Sequence, residues 1–164
     1  ESSLAGDVMQ TQQYATFGAG CFWGVQAYFH PLYGVLDTSV GYMGGHVLQP
    51  SYEQVCCDTS GHAEVIQLQF DPQKIAYADL LAHFWACHDP TQYHRQGVDV
   101  GSQYRSVIFY HDAHQAVTAQ TSLLQAQQVC PVQIVTQIVA ASTFWPAEAF
   151  HQHYLARHGG RCHV

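Results

Sequence analysis

Basic residues are almost missing from this chain. Only 5 of its 164 residues are Lys or Arg, and Lys74 is the sole lysine. A protein that grips a phosphate backbone needs clustered cations. Here the nearest neighbours are Arg95 with Arg105 and Arg157 with Arg161, so nucleic-acid binding is excluded. Charge of either sign is scarce, at 10% of residues. The chain is nevertheless not of a disordered type, because 48% of it is apolar and 13% aromatic, enough to build a core. No apolar run approaches the ~20 residues that span a bilayer, so no membrane association is expected. No charged-then-apolar leader opens the chain, which starts at Glu1. The expected compartment is the cytoplasm, with an exported protein or a piece of a larger fusion left open. There is no C-x-x-C pair and no H-E-x-x-H, and the 12 histidines are scattered, so neither a metal site nor a bound cofactor is expected.

Six cysteines are present, at positions 21, 56, 57, 87, 130 and 162. A chain of this length with a good core does not need three structural disulfides, and the spacing is not that of a small stapled domain. Their reactivity is therefore the question.

Residues 1–13 are polar and aperiodic and read as an N-terminal arm; residues 14–164 read as one catalytic domain, expected to be a monomer. Tyr14–Gly18 predicts a strand that runs through Gly18-Ala19-Gly20 into a helix from Cys21 to His30, ended by Pro31. Val35–Tyr42 alternates as a strand does, and a loop reaches from Gly44 to about Gly61. Ala63–Phe70 is a strand closed by Asp71-Pro72, and Tyr77, Leu80, Leu81, Phe84 and Trp85 have helical spacing. A polar loop to Gln103, a strand over 104–110, a helix from Ala113 to about Gln128, a strand over 132–139 and a last helix from Pro146 to about Arg157 complete the prediction. Strand, helix, strand, strand, helix, strand is the order of a ferredoxin-like α/β plait. The fold class expected is α+β, a mixed sheet with flanking helices.

Cys21 follows a glycine turn and opens a helix. Backbone N–H groups and the positive end of the helix dipole converge at such a position and favour a thiolate. A buried, inert thiol is the commoner fate of a cysteine, but a glycine-rich strand-to-helix turn exposes the residue at a sheet edge.

The residues around Cys21 add a resemblance. Gly20-Cys21-Phe22-Trp23-Gly24 is similar to the signature of the A-type peptide methionine sulfoxide reductases. So are the blocks 41–45, 51–56, 61–64, 88–90, 101–106 and 144–148, in that family's order and spacing, so that the resemblance extends over residues 14–162. It implies an oxidoreductase that repairs oxidative damage. On this reading Cys21 attacks the sulfur of a methionine-(S)-sulfoxide, in proteins or as the free amino acid, while Phe22 and Trp23 form an apolar wall for its methyl group. An aromatic wall suits that group, since a methyl and a sulfonium-like centre both favour a π face.

Reducing a sulfoxide also requires a proton for its oxygen. Glu64 shares one strand face with Ile66, Leu68 and Phe70, opposite Val65, Gln67 and Gln69. On the apolar side desolvation opposes the charged carboxylate, which suits a general acid. The resemblance further implies that the phenols of Tyr52 and Tyr104 hold the sulfoxide oxygen and that Asp99 helps polarise the site. Val98 departs from the pattern, where Asn is expected in a Gln-Gly-Asn-Asp string.

The chemistry leaves a Cys21 sulfenic acid, which condenses with a second thiol to a disulfide. Cys162, after Gly159-Gly160-Arg161 on a flexible C-terminal tail, is the implied partner. Thioredoxin or another dithiol would reduce the Cys21–Cys162 bond directly, in a two-cysteine cycle. Cys56 is the weaker alternative. Two other functions compete: a cysteine hydrolase using Cys21 and His62, and a non-catalytic peptide-binding module built on the Phe22 and Trp23 pocket.

Overall fold

The computed structural model describes residues 13–57 and 60–158. In chain order these form β1 (Gln13–Ala19), α1 (Phe22–Phe29), β2 (Val35–Met43), α2 (Tyr52–Cys56), β3 (Ala63–Phe70), α3 (Tyr77–Ala86), β4 (Arg95–Gln96), β5 (Asp99–Val100), a 3-10 turn (Ser102–Tyr104), β6 (Ser106–Tyr110), α4 (Ala113–Val129), β7 (Gln137–Ala140), β8 (Trp145–Pro146), a second 3-10 turn (Ala149–His151) and α5 (Tyr154–His158).

Six strands make one sheet in the order β7-β6-β1-β3-β2-β8, and β4 and β5 form a separate hairpin. The sheet is mixed: β6 and β7 are parallel and the other neighbours antiparallel. One face carries Ala15, Phe17, Ile66, Leu68, Phe70 and Ile108, covered by Val25 and Phe29 of α1 and by Leu80, Leu81 and Phe84 of α3. Burying each of these large side chains contributes about 1.5–3 kcal/mol. The opposite face is covered at one end, where Val65 packs with Met43, Val107 and Phe109. Val65 is 1% exposed, so the polar face expected of β3 begins only at Gln67.

The antiparallel registers decide what meets at the sheet edge. Phe17 pairs with Ile66 and Tyr42 with Glu64, so the end of β1, the start of β3 and the end of β2 lie side by side. Gly20, between β1 and α1, has φ +95, and a Cβ there would come within 2.9 Å of the Gln96 side chain. Glycine thus lets the chain turn into α1 hard against the β4–β5 hairpin.

The structure differs from the sequence prediction in several places, and the expected polar loop to Gln103 holds the β4–β5 hairpin and a 3-10 turn. The expected helix over 146–157 is instead β8, a 3-10 turn and the short α5. Gln152 spends its amide on Val40 N, Val40 O and Ala147 O, which ties this segment to β2, and His153 adopts φ +54, which stops a continuous helix. The strand expected over 132–139 covers only 137–140, because Gln127 bonds Cys130 O, Val132 O and Ile134 N. Backbone groups held that way are not available to a ladder. Inside the expected 44–61 loop sits α2, started by a reciprocal capping box between Ser51 and Gln54.

Several histidines are structural. His62 and His151 are buried. His88 donates from Nδ1 to Phe84 O at 2.7 Å and meets Ser106 Oγ through Nε2 at 2.7 Å. Burial pushes its pKa down from 6.5 to about 4. A histidine held neutral in the fold takes up its proton on unfolding, so its contribution is intact above pH 6.5 and is lost as pH falls toward 4. Urea unfolding should therefore show stability falling by about 2 kcal/mol between pH 7 and pH 5, a drop that shrinks in His88→Gln. Constant stability over that range would contradict a neutral, partly buried His88.

Candidate active site

Cys21 caps the start of α1 and is partly buried. The next residue fixes its surroundings: Phe22 N donates to Glu64 Oε1 at 3.1 Å across 42 positions of sequence. The Glu64 side chain is 1% exposed, and it lies at the first turn of α1, where orphaned N–H groups point outward. The carboxyl and the sulfur thus flank the same peptide unit.

Phenols surround that carboxyl. Tyr52 opens α2, Tyr104 closes the first 3-10 turn, and Tyr42 pairs with Glu64 across the sheet. Burial, followed by the Glu64 charge, pushes the Tyr104 phenol up, with further contributions from Asp99, Cys56 and Cys21. The Tyr52 phenol is raised by burial, then by a hydrogen bond with Cys56 one helical turn on, then by Glu64. The Tyr42 phenol is raised by burial and by Glu148 ahead of Glu64. All three phenols therefore remain protonated and able to donate. Asp99 is buried in β5, beside the same cluster. Cys21, Glu64, Tyr52, Tyr104 and Asp99, distant in sequence, are brought together; Cys162 lies outside the described residues.

An aromatic wall closes the other side. Phe22 is 1% exposed and packs with Tyr42, Tyr52 and His151, so it is core and wall at once. Trp23 remains partly exposed, stacked on Tyr154 at 4.0 Å between ring centres. Its indole N–H donates to His151 Nδ1 at 3.0 Å.

Sequence reasoning missed His151 and Glu148. Glu148 Oε2 accepts from Tyr52 N at 3.2 Å and its Oε1 accepts from the Tyr42 phenol at 3.4 Å. Against partial desolvation, its own backbone N–H, followed by Tyr52 N, the nearby His151 and the Tyr42 phenol, holds this exposed carboxyl below the usual range. The available signal was Trp23 itself, since a packed indole N–H requires an acceptor. Cys56, exposed at the end of α2, also proves close to the site, its thiol raised by partial desolvation although its hydrogen bond with Tyr52 opposes the shift.

His62 has no room for the role of a base. Its Nδ1 accepts from Gly45 N at 3.0 Å and its Nε2 donates to Val47 O at 2.7 Å. Both ring nitrogens are committed to the 45–47 loop. Among the described residues no group of three His, Cys, Asp or Glu side chains could hold a metal, and no helix is long and apolar enough to cross a membrane.

A thiol at a helix start, a buried carboxyl and a ring of phenol donors meet at one edge of the sheet. Residues 13–164 match the family model for peptide methionine sulfoxide reductase. The peptide methionine sulfoxide reductase MsrA of Acidobacterium capsulatum is 52% identical over 153 residues, covering 92% of this chain and 98% of its own. That of Geobacter sulfurreducens is 54% identical over 150 residues, covering 89% and 91%. Among solved structures, the reduced form of Mxr1 from Saccharomyces cerevisiae superposes with a TM-score of 0.86 at 31% identity, covering 93% of this chain and 89% of its own. A structure of Mxr1 in complex with Trx2 shares the fold at a TM-score of 0.59 and 22% identity, over 88% of this chain and 85% of its own. The chain belongs to the peptide methionine sulfoxide reductase family, a family of thiol-dependent oxidoreductases.

The committed ring nitrogens give a test against the hydrolase alternative. In His62→Ala, the pH midpoint for alkylation of Cys21, followed by mass spectrometry of its peptide, should equal that of the parent. Stability should fall by about 2 kcal/mol as the 45–47 loop loses both bonds. A midpoint raised by a unit or more would restore a Cys–His pair.

Proposed function

We propose that Cys21 takes the oxygen of methionine-(S)-sulfoxide, in a peptide or as the free amino acid, with Glu64 as the proton donor. The 3.1 Å bond from Phe22 N to Glu64 Oε1 carries this reading, because it sets a buried carboxyl beside the first turn of the helix that Cys21 caps. The Cys21 thiolate attacks sulfur, the sulfur–oxygen bond breaks as oxygen moves to Cys21, and the proton from Glu64 neutralises that oxygen. The products are a thioether and a Cys21 sulfenic acid. Tyr52 and Tyr104 donate to the oxygen as its charge grows, a contribution of the kind preorganised donors make to any oxyanion. Asp99 polarises the cluster beside Tyr104, and Phe22 with Trp23 receives the methyl group.

In the second step the Cys162 thiol displaces water from the sulfenic acid and forms the Cys21–Cys162 disulfide, which a dithiol of the thioredoxin type reduces. Support for thioredoxin comes from the yeast protein captured with Trx2; the role of Cys162 rests on the tail pattern of the family. The chain acts as a monomeric catalytic domain spanning 14–164. Its fold is proposed as a ferredoxin-like plait, supported by the antiparallel order β6-β1-β3-β2 with α1 and α3 on one face. The proposed compartment is the cytoplasm, in keeping with Cys56, Cys57, Cys87 and Cys130 being thiols.

The test is a methionine sulfoxide peptide incubated with dithiothreitol, scored for methionine and for thiols consumed. The parent should form methionine from the S epimer and Cys21→Ser none. Glu64→Gln should slow the first single turnover about 100-fold or more. Cys162→Ser should complete that first turnover at the parental rate and then stall with thioredoxin. An unchanged single-turnover rate in Glu64→Gln would remove the acid role, and sustained thioredoxin turnover in Cys162→Ser would move resolution to another thiol, Cys56 first.

A further inference from the structure

On the side of Cys21 away from the aromatic wall, a groove of about 450 Å³ runs past Gly24 and Tyr28 of α1 to Cys87, with the β4–β5 hairpin as its far bank. The hairpin is tight: Gln96 pairs with Asp99, and Gly97-Val98 forms the two-residue turn. Gly97 has φ +61, as the first corner of such a turn requires, and Val98 occupies the second. Small polar residues are the usual occupants there, since they bond their own backbone. A β-branched apolar side chain contributes nothing to the turn. It contributes little to the core either, because Val98 is 75% exposed.

Other apolar side chains stand out near it. Val100 is 70% exposed and Tyr28 is 36% exposed. Among the described residues lining the groove, the one carboxylate or cation is Asp99, itself buried. Cys21 lines the groove, so a peptide whose oxidised methionine reaches that sulfur can lay its adjoining residues along it.

We propose that Val98 is a specificity-determining residue: it forms an apolar rim that selects methionine sulfoxide in peptides whose flanking residues are aliphatic over those with polar flanks. This rests on the proposed reductase reading, and it names the substrate class within it. No ionic contact is involved, so the preference should hold between neutral side chains and be insensitive to salt.

The experiment compares kcat/KM for two blocked, uncharged tripeptides, acetyl-Leu-Met(O)-Leu-amide and acetyl-Asn-Met(O)-Asn-amide, with blocked methionine sulfoxide as a third substrate for the parent chain. The ratio of the two peptides cancels the chemistry common to both. The parent should favour the leucine peptide about fivefold. Val98→Asn, which restores a turn-compatible side chain, should bring the ratio near one, and Val98→Ile should preserve it. A parental ratio near one, or a ratio unchanged in Val98→Asn, overturns the inference while leaving the reductase reading intact. Failure of the parent to reduce even blocked methionine sulfoxide overturns both.

Discussion

One hydrogen bond organises the proposed chemistry, that from the Phe22 amide to the Glu64 carboxyl. It links the first turn of α1 to the first residues of β3, two elements that the sheet has already brought to one edge. A buried carboxyl without a donor would cost several kcal/mol. The helix start provides that donor, and it is also the place where Cys21 gains most from the backbone dipoles. The same few peptide units therefore serve both groups. The proposed acid and the proposed nucleophile are placed by one feature of secondary structure, not by two.

Everything else in the site holds that arrangement in register. Glu148 fixes the start of α2 through Tyr52 N and reaches the Tyr42 phenol. His151 anchors the Trp23 indole and packs against Phe22 and Tyr52. Both come from the irregular segment after β8, which Gln152 ties to Val40 in β2. Phe22, the residue that donates to Glu64, is also the residue around which this aromatic cluster packs.

Much of this was legible in the sequence, for identifiable reasons. Glu64 could be placed on the apolar face of its strand because side chains alternate strictly in an extended chain. Cys21 could be placed at a helix start because Gly20 and Pro31 bracket the pattern. Tyr52, Tyr104 and Asp99 had no such local signature. They converge only through the register of the sheet and the loops at its edge, and only resemblance to a family singled them out. The segment after β8 has a helical pattern in the sequence but is irregular in the fold, because a side chain, Gln152, captures the backbone groups of a distant strand, a contact that periodicity cannot carry. His62 was a plausible base in the sequence, and its two loop hydrogen bonds remove that role.

Transfer of oxygen from the substrate to Cys21 can be followed in a quenched single turnover of the Cys162→Ser chain with a methionine sulfoxide peptide and dimedone, read by mass spectrometry. The result expected is a dimedone adduct on Cys21 that rises in step with methionine, at about one adduct for each methionine formed, because sulfenic acid is the species dimedone captures. Methionine formed with no adduct on Cys21, or with the adduct on another cysteine, would contradict it.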